Sequence, residues 1–301
     1  MPELFTRLVP VENEDHFRAL LHLENMLYLD AGLRRFPVHN PNAVADRWLF
    51  GSPNEVFRYA YLFARDGRFI GYALAYNLYP GEKKFALQLL PDFMQYAGEA
   101  LFLAEGLTAR DNKRVAMYIN TLDDALTRAV RKRGYRRPFR PSRCQMGLEL
   151  AQHQAKPVAW ENEMLARLTP ADFEDRALHS NIATGRRTSA AQYEELYRSE
   201  YYKAARDFVI RMKDGTYAGH LTWWVDETGQ TANLETVATL PEYRRRGIMR
   251  RAIIEGLNLL KTEGIQYAYV STSVRNKPAQ GLYQGLGFAQ LGKTYLYEKR
   301  L

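Results

Sequence analysis

The sequence predicts an α/β fold of two mixed halves in tandem, each with a mostly antiparallel central sheet flanked by helices. Three observations carry that prediction. The chain repeats itself at about half its length; strand-like runs in its second half give way to helical spacing and then return; and 301 residues, 46% of them hydrophobic, exceed the roughly 250 at which a single core stops growing.

The repeat keeps both order and spacing. "DGRFIGYALAY" from Asp66 aligns with "DGTYAGHLTWW" from Asp214, each a Gly turn, a second Gly and an aromatic-rich strand pattern. "LPDF" (Leu90–Phe93) matches "LPEY" (Leu240–Tyr243), and "EGL" at Glu105 matches "EGL" at Glu255, both offset by 150. "RGY" (Arg133–Tyr135) stands where "LGF" (Leu286–Phe288) stands later. The boundary is expected in "AQHQAKPVAWENE", after the strand-like "CQMGLEL", giving halves of 1–152 and 153–301.

The second half can be read element by element. Thr169-Pro170-Ala171-Asp172 supplies a capping hydroxyl, a proline at the first helical position and an acid in the first turn, so a helix opens there. Ser189 with Gln192 three residues on is a capping box for a second helix, and "ATGRRT" is the loop between them. "DFVIRM", "YAGHLTWWVD" and "TANLETVATL" form an antiparallel meander. Ile248, Met249, Ala252, Ile253, Leu257 and Leu260 then recur at three- and four-residue intervals, one apolar face of a helix that "TEG" ends. "YAYVSTSV" follows as a buried strand, "KPAQGLYQGL" as a helix and "KTYLYEKRL" as a last alternating strand.

Composition narrows the function. No apolar run approaches the roughly 18 residues of a membrane span, so no membrane partner is expected. The opening "MPELFTRLVPVENEDHF" lacks the pattern of a secretion signal, and the one cysteine, Cys144, cannot close an intramolecular disulfide; a reducing cytoplasm fits. The six histidines show no paired metal-ligand spacing, and no metal is expected. A net charge of +8 suits an anionic partner. The densest basic run, "RKRGYRRPFRPSR" (Arg131–Arg143), reads as a solvated helix end and loop; nucleic-acid contact is the less favoured alternative.

Chemistry concentrates after the meander. Arg244, Arg245, Arg246 and Gly247 fall where a strand ends and a helix begins, so unpaired N–H groups point outward at the positive end of the helix dipole. Gly247 permits close backbone approach, and arginines add charge suited to phosphate. Downstream stand Asn276, Ala279, Leu282, Tyr283, Gly287 and Phe288.

These residues resemble the GNAT superfamily of acyl-CoA-dependent N-acyltransferases over essentially the whole second half. The later signature, N-x-x-A-x-x-L-Y-x-x-x-G-F, is matched at every specified position; the pyrophosphate loop, R/Q-x-x-G-x-G/A, is matched by Arg244 and Gly247, with Met249 where glycine or alanine is usual. The resemblance implies a strand that splays from its neighbour, with main-chain groups of Val237 and Thr239 holding the thioester and pantetheine. It further implies amides of Arg245, Arg246, Gly247, Ile248, Met249 and Arg250 facing pyrophosphate, and Asn276 on the pantetheine arm. Acetyl-CoA is the implied co-substrate. Tyr283 is the candidate general acid for the departing thiolate, its alternative being a core aromatic. Glu235, placed by simple alternation on the face of Val237 and Thr239, is the candidate base, its alternative a solvated strand-end carboxylate.

The first half has Met94, Tyr96 and Ala97 in place of Arg244, Arg246 and Gly247, Asp123 for Asn276 and Val130 for Tyr283. It therefore reads as a degenerate copy that supports the fold and walls the acceptor site, a plan similar to tandem enzymes such as mycothiol synthase. The expectation is an acetyl-CoA-dependent N-acetyltransferase acting on a small-molecule or peptide amine by direct attack in a ternary complex. Cys144, in a strand of the degenerate half, is not expected to be a nucleophile. Tyr193, Tyr197, Tyr201 and Tyr202 either line the acceptor site or pack as core. The alternatives are a non-catalytic acyl-CoA sensor and a nucleic-acid-binding protein.

Overall fold

Among the described residues, the same order of strands and later helices recurs in both halves. The computed structural model describes residues 6–13, 15–16, 18–20, 22–23, 60–79, 82–106, 114–121, 123–154, 158–184, 188–198, 202, 205–227 and 230–300. The first run comprises β1 (Arg7–Pro10), β2 (Ala60–Arg65), β3 (Arg68–Tyr79), β4 (Glu82–Leu89), α1 (Ala97–Gly106), β5 (Arg114–Asn120), α2 (Asp124–Lys132) and β6 (Arg143–Glu149). The second comprises β7 (Glu163–Arg167), α3 (Phe173–Thr184), α4 (Ala190–Arg198), β8 (Ala205–Met212), β9 (Tyr217–Asp226), β10 (Thr231–Thr239), α5 (Ile248–Thr262), β11 (Tyr267–Ser273), α6 (Lys277–Gln284) and β12 (Ala289–Arg300).

Local signals act where the sequence places them. Asp66 and Gly67, at φ 52° and 74°, make the two-residue turn that joins β2 to β3 with Arg65 opposite Arg68. The side chain and N–H of Thr169 both bond Asp172 Oδ2 (2.7 and 2.9 Å) ahead of α3. Gln192 Oε1 accepts from the Ser189 N–H (2.8 Å) ahead of α4. All six residues of the expected apolar face of α5 are buried, against Leu221, Trp223 and Leu234 among others. Burying side chains of this kind stabilises by about 1.5–3 kcal/mol each.

All twelve strands join one sheet in the order β1-β2-β3-β4-β5-β12-β6-β11-β10-β9-β8-β7. Pairs β4–β5 and β10–β11 are parallel, and the other described pairs are antiparallel. The order holds an exchange. The last strand of the first run, β6, lies against β11 of the second, and β12 lies against β5 of the first. Consequently Cys144, Met146 and Leu148 of β6 sit in the second-half core, and Tyr297 of β12 sits in the first-half core. The point 152/153 falls between β6 and β7, but the cores do not divide there.

Candidate active site

The site begins with a strand that leaves its neighbour. β10 and β11 pair from Thr231↔Tyr267 to Leu234↔Val270, and beyond that point β10 continues to Thr239 with β9 alone. The Leu240 N–H donates to the Ala218 carbonyl (3.0 Å), so the alternating antiparallel ladder next uses Ala238 with His220. The N–H and C=O groups of Val237 and Thr239 therefore point the other way, into the gap. Gly219 keeps β9 close at this end: a Cβ there would stand 2.6 Å from the Ala238 carbonyl oxygen.

A β-bulge between Leu234 and Val237 breaks the simple alternation expected of β10. Glu235 and Thr236 both fall opposite Thr222, so period-two counting does not place Glu235 with Val237 and Thr239. Behind the bulge is a buried polar network. Arg176 of α3, 1% exposed, donates through Nη2 to Thr236 Oγ1 (3.0 Å) and Thr222 Oγ1 (3.2 Å) and lies 3.6 Å from Asp207 Oδ1. Thr222 in turn donates to Asp207 (2.9 Å). A charge this deeply buried is tolerable only when paired and hydrogen-bonded, and here the pairing fastens α3 to the bulge beside Glu235. No sequence-local signal links these four residues, which come from one helix and three strands.

After β10, Pro241–Tyr243 make one 3-10 turn and Arg244 returns to extended backbone (φ −66°, ψ 155°). Arg245 (φ 67°) and Gly247 (φ 76°) then take left-handed conformations, and α5 starts at Ile248. Among the described residues, Arg251 is the first beyond Arg244 whose N–H meets a carbonyl, that of Gly247 (3.1 Å). The amides from Arg245 to Arg250 are thus left to the outside, at a helix start with no acid in its first turn. Met249, the departure from the loop pattern, turns its side chain into the core, 7% exposed, and takes nothing from the backbone presentation.

The arginines divide their work. Arg244 Nε donates to the Thr239 carbonyl (3.1 Å), Arg250 Nη1 to the Gly285 carbonyl (3.0 Å), and the Arg246 guanidinium lies over the Tyr243 ring at 5.3 Å. Arg245 is exposed.

Gap and loop open into one cleft of about 1260 Å³. Every residue expected at the site lines it except Arg246: Glu235, Val237, Thr239, Arg244, Arg245, Gly247, Ile248, Met249, Arg250, Asn276 and Tyr283. Ser271, Thr272 and Tyr243 also line it and were not read from the sequence. Asn276 is the N-cap of α6, its Oδ1 accepting from the Ala279 N–H (3.2 Å). That use leaves the amide nitrogen as the donor at the cleft. Tyr283 is 4% exposed. Burial first, and the Glu235 carboxylate second, push its phenol well above the ordinary range, against an opposing pull from Arg143.

Of the four tyrosines weighed for an acceptor site, Tyr193 is buried and stacks on Phe173 (6.4 Å), while Tyr197 packs edge-on against Phe173 (5.4 Å). Tyr202 packs against Trp224 (6.4 Å), and Tyr201 lies outside the described residues. Cys144 is buried, and burial raises its thiol pKa. Among the described residues no three His, Cys, Asp or Glu are grouped to hold a metal ion, and no helix is long and apolar enough to cross a membrane.

Residues 173–288, which carry the splayed strand, the loop and the α6 signature, match the model of the acetyltransferase (GNAT) family. The second half is thus similar to the GNAT family. An uncharacterized protein of Mycobacterium leprae (strain TN) is 31% identical over 155 residues, 49% of this chain and 41% of its own length. A candidate ribosomal-protein bS18 alanine N-acetyltransferase of Bacillus subtilis (strain 168) is 28% identical over 100 residues, 33% of this chain and 62% of its own length. The matches thus span less than two thirds of either relative. A solved tandem GNAT protein from the clavulanic acid biosynthesis pathway has a similar fold across 98% of both chains, with a TM-score of 0.67 and 16% identity. That likeness is one of fold: both halves share the tandem architecture of that protein.

Proposed function

We propose that this protein transfers an acetyl group from acetyl-CoA to the nitrogen of an amine, on a small molecule or a peptide, by direct attack in a ternary complex. The observation that carries the reading is the single cleft in which the parted strand β10, the unpaired amides ahead of α5, Glu235 and Tyr283 meet. Acetyl-CoA supplies the activated thioester.

The chain's own groups then have separable tasks. The amides from Arg245 to Arg250 hold the pyrophosphate, as a helix start with free N–H groups does for anions generally. Main-chain groups of Val237 and the N–H of Thr239 orient the pantetheine and thioester, the Thr239 carbonyl being already held by Arg244. The Asn276 amide nitrogen donates to the pantetheine arm.

An alkylamine, with a reference pKa of about 10.4, is mostly protonated near neutrality, so a proton must leave before attack. Glu235 accepts it, directly or through water. Tyr283 gives a proton to the thiolate; burial and the nearby carboxylate, by raising its pKa, keep the phenol in the form an acid needs. Cys144 forms no acyl intermediate.

The test is CoA release from acetyl-CoA across a panel of amines and peptides, alongside calorimetry. The reading expects acetyl-CoA binding and amine-dependent thiol release with N-acetylated product. Binding without release above background for any acceptor would make the protein an acyl-CoA sensor instead.

A further inference from the structure

The basic run at 131–143 is the sequence feature that the acyl-transfer reading leaves unused, and the fold changes its meaning. Alone it is a helix end and a loop. In the structure, Gly134, Arg136, Arg137 and Pro138 form one wall of a groove of about 610 Å³, and Arg114, Glu298, Lys299 and Arg300 form the other. The second wall exists because β12 is exchanged onto β5. That exchange sets Arg300 directly opposite Arg114, a like-charge cross-strand pair of a kind that disfavours the strand pairing.

The groove is both charged and rigidly built. Arg136 and Glu298 exchange backbone hydrogen bonds (2.8 and 3.1 Å), which fixes the loop against β12. Lys299 is tied to Glu105 (3.3 Å), and Arg137 lies over the Tyr295 ring at 4.7 Å. Arg114, Arg136, Arg137 and Arg300 are exposed, so four guanidinium groups stand along one groove whose lining includes one carboxylate.

Two exposed aromatic side chains are linked to its lining residues through the chain. Phe139, next to Pro138, is 94% exposed, and Phe102, 61% exposed, lies under the guanidinium of Arg133, next to Gly134. Arginines for phosphates and an uncovered aromatic for a base are what a single strand of nucleic acid requires. An acidic peptide uses the charges and leaves the rings unexplained.

We propose that this groove binds single-stranded nucleic acid, phosphates on Arg114, Arg136, Arg137 and Arg300 and a base stacked on Phe139. The groove is walled by the first half and by β12 where it borders β5, and β6 separates β12 from β11, so the groove is distinct from the acetyl-CoA cleft. The proposal does not rest on acetyl transfer.

The test uses the full chain and a fluorescein-labelled twelve-uridine RNA, followed by anisotropy over a salt series. Four phosphate contacts on a single strand give a log–log salt slope of about −3. R136E/R137E should weaken binding at least about tenfold and roughly halve that slope. F139A should weaken it about fivefold or more with the slope unchanged, which a purely electrostatic surface would not do. If the double variant loses its fold, F139A and the wild-type slope decide. The proposal fails if binding is insensitive to salt, if F139A binds like wild type, if polyglutamate of equal length competes as well as the RNA, or if saturating acetyl-CoA displaces it.

Discussion

The two halves enter their pivotal turn in the same way and leave it differently. Leu90 and Leu240 cap it with nearly identical backbone angles (φ −59°, ψ 144° and φ −59°, ψ 147°), each followed by proline. In the first half the 3-10 turn runs on from Pro91 to Tyr96 and passes into α1 without a break, the Ala97 N–H bonded to the Met94 carbonyl. In the second it stops at Tyr243, and the left-handed Arg245 and Gly247 turn the chain so that the amides before α5 face outward. One continuous helical path consumes its N–H groups internally; one interrupted path offers them to a ligand. The surrounding fold is thus the same whether or not the turn presents free amides.

The acid comes first because its removal should have the largest effect. Tyr283→Phe keeps the ring on Phe288 (6.0 Å) and removes the hydroxyl, making the position more like the buried Val130 of the twin. Turnover should fall about a hundredfold or more, the range for a lost general acid, with calorimetric affinity for acetyl-CoA nearly intact. The sign of the pKa shift sharpens the test. A phenol raised above the ordinary value stays protonated, so the wild-type rate should show no loss from this group below about pH 10. Equal turnover in the variant would remove Tyr283 from the mechanism.

Gly247→Val attacks the interrupted path itself. A β-branched residue at φ 76° costs about 1–3 kcal/mol, and its Cβ would lie 3.3 Å from Arg251 Nη1. If the loop straightens to relieve that strain, the amides lose their alignment, and acetyl-CoA affinity should drop by about tenfold or more. Unchanged calorimetric affinity would show that the cradle does not hold the pyrophosphate.

Asn276→Asp makes a finer cut, because it installs the residue of the first half. Asp123 caps α2 by accepting from the Leu126 N–H (2.9 Å), as Asn276 caps α6, so the helix should keep its start and the thermal midpoint should hold. What changes is the free side of the amide: a donor is replaced by a negative charge beside an anionic ligand. A loss of one hydrogen bond, about 1.4 kcal/mol or tenfold in affinity, is expected without loss of fold. A variant that binds as tightly as wild type would place the pantetheine elsewhere.

These contrasts rest on features of unequal visibility in the sequence. The caps at Thr169 and Ser189, the apolar face of α5 and the Asp66-Gly67 turn were legible because their physics is local, carried by residues within four positions of each other. The strand exchange was not. A strand pattern says which face is apolar and nothing about which neighbour will cover the edge, so β6 and β12 read simply as the last strands of their own halves. For the same reason the groove at Arg114, Arg136 and Arg300 is invisible until β12 crosses over. At the site, residue identities were legible and geometry was less so: the bulge at Glu235 breaks a period that counting assumes, and Arg244 spends its Nε on the Thr239 carbonyl.

The smallest expected effect tests whether charge or backbone would keep acetyl-CoA out of the first half. In the first turn of α1, Glu99 already supplies a carboxylate, held by Arg65 Nη1 (2.9 Å) and by the Thr6 hydroxyl, while Arg65 also lies over Tyr96 at 3.9 Å. If charge alone excluded the cofactor, Glu99→Gln would free the cationic Arg65 and raise acetyl-CoA stoichiometry toward two per chain. The continuous path from Pro91 into α1 argues otherwise, since neutralising Glu99 releases no backbone N–H. Stoichiometry should remain one, first-order affinity should not move, and stability should fall by no more than about 1 kcal/mol, the scale of one carboxylate near a helix start. A second binding event in calorimetry would mean that Glu99, and not the uninterrupted helix, is what closed the twin.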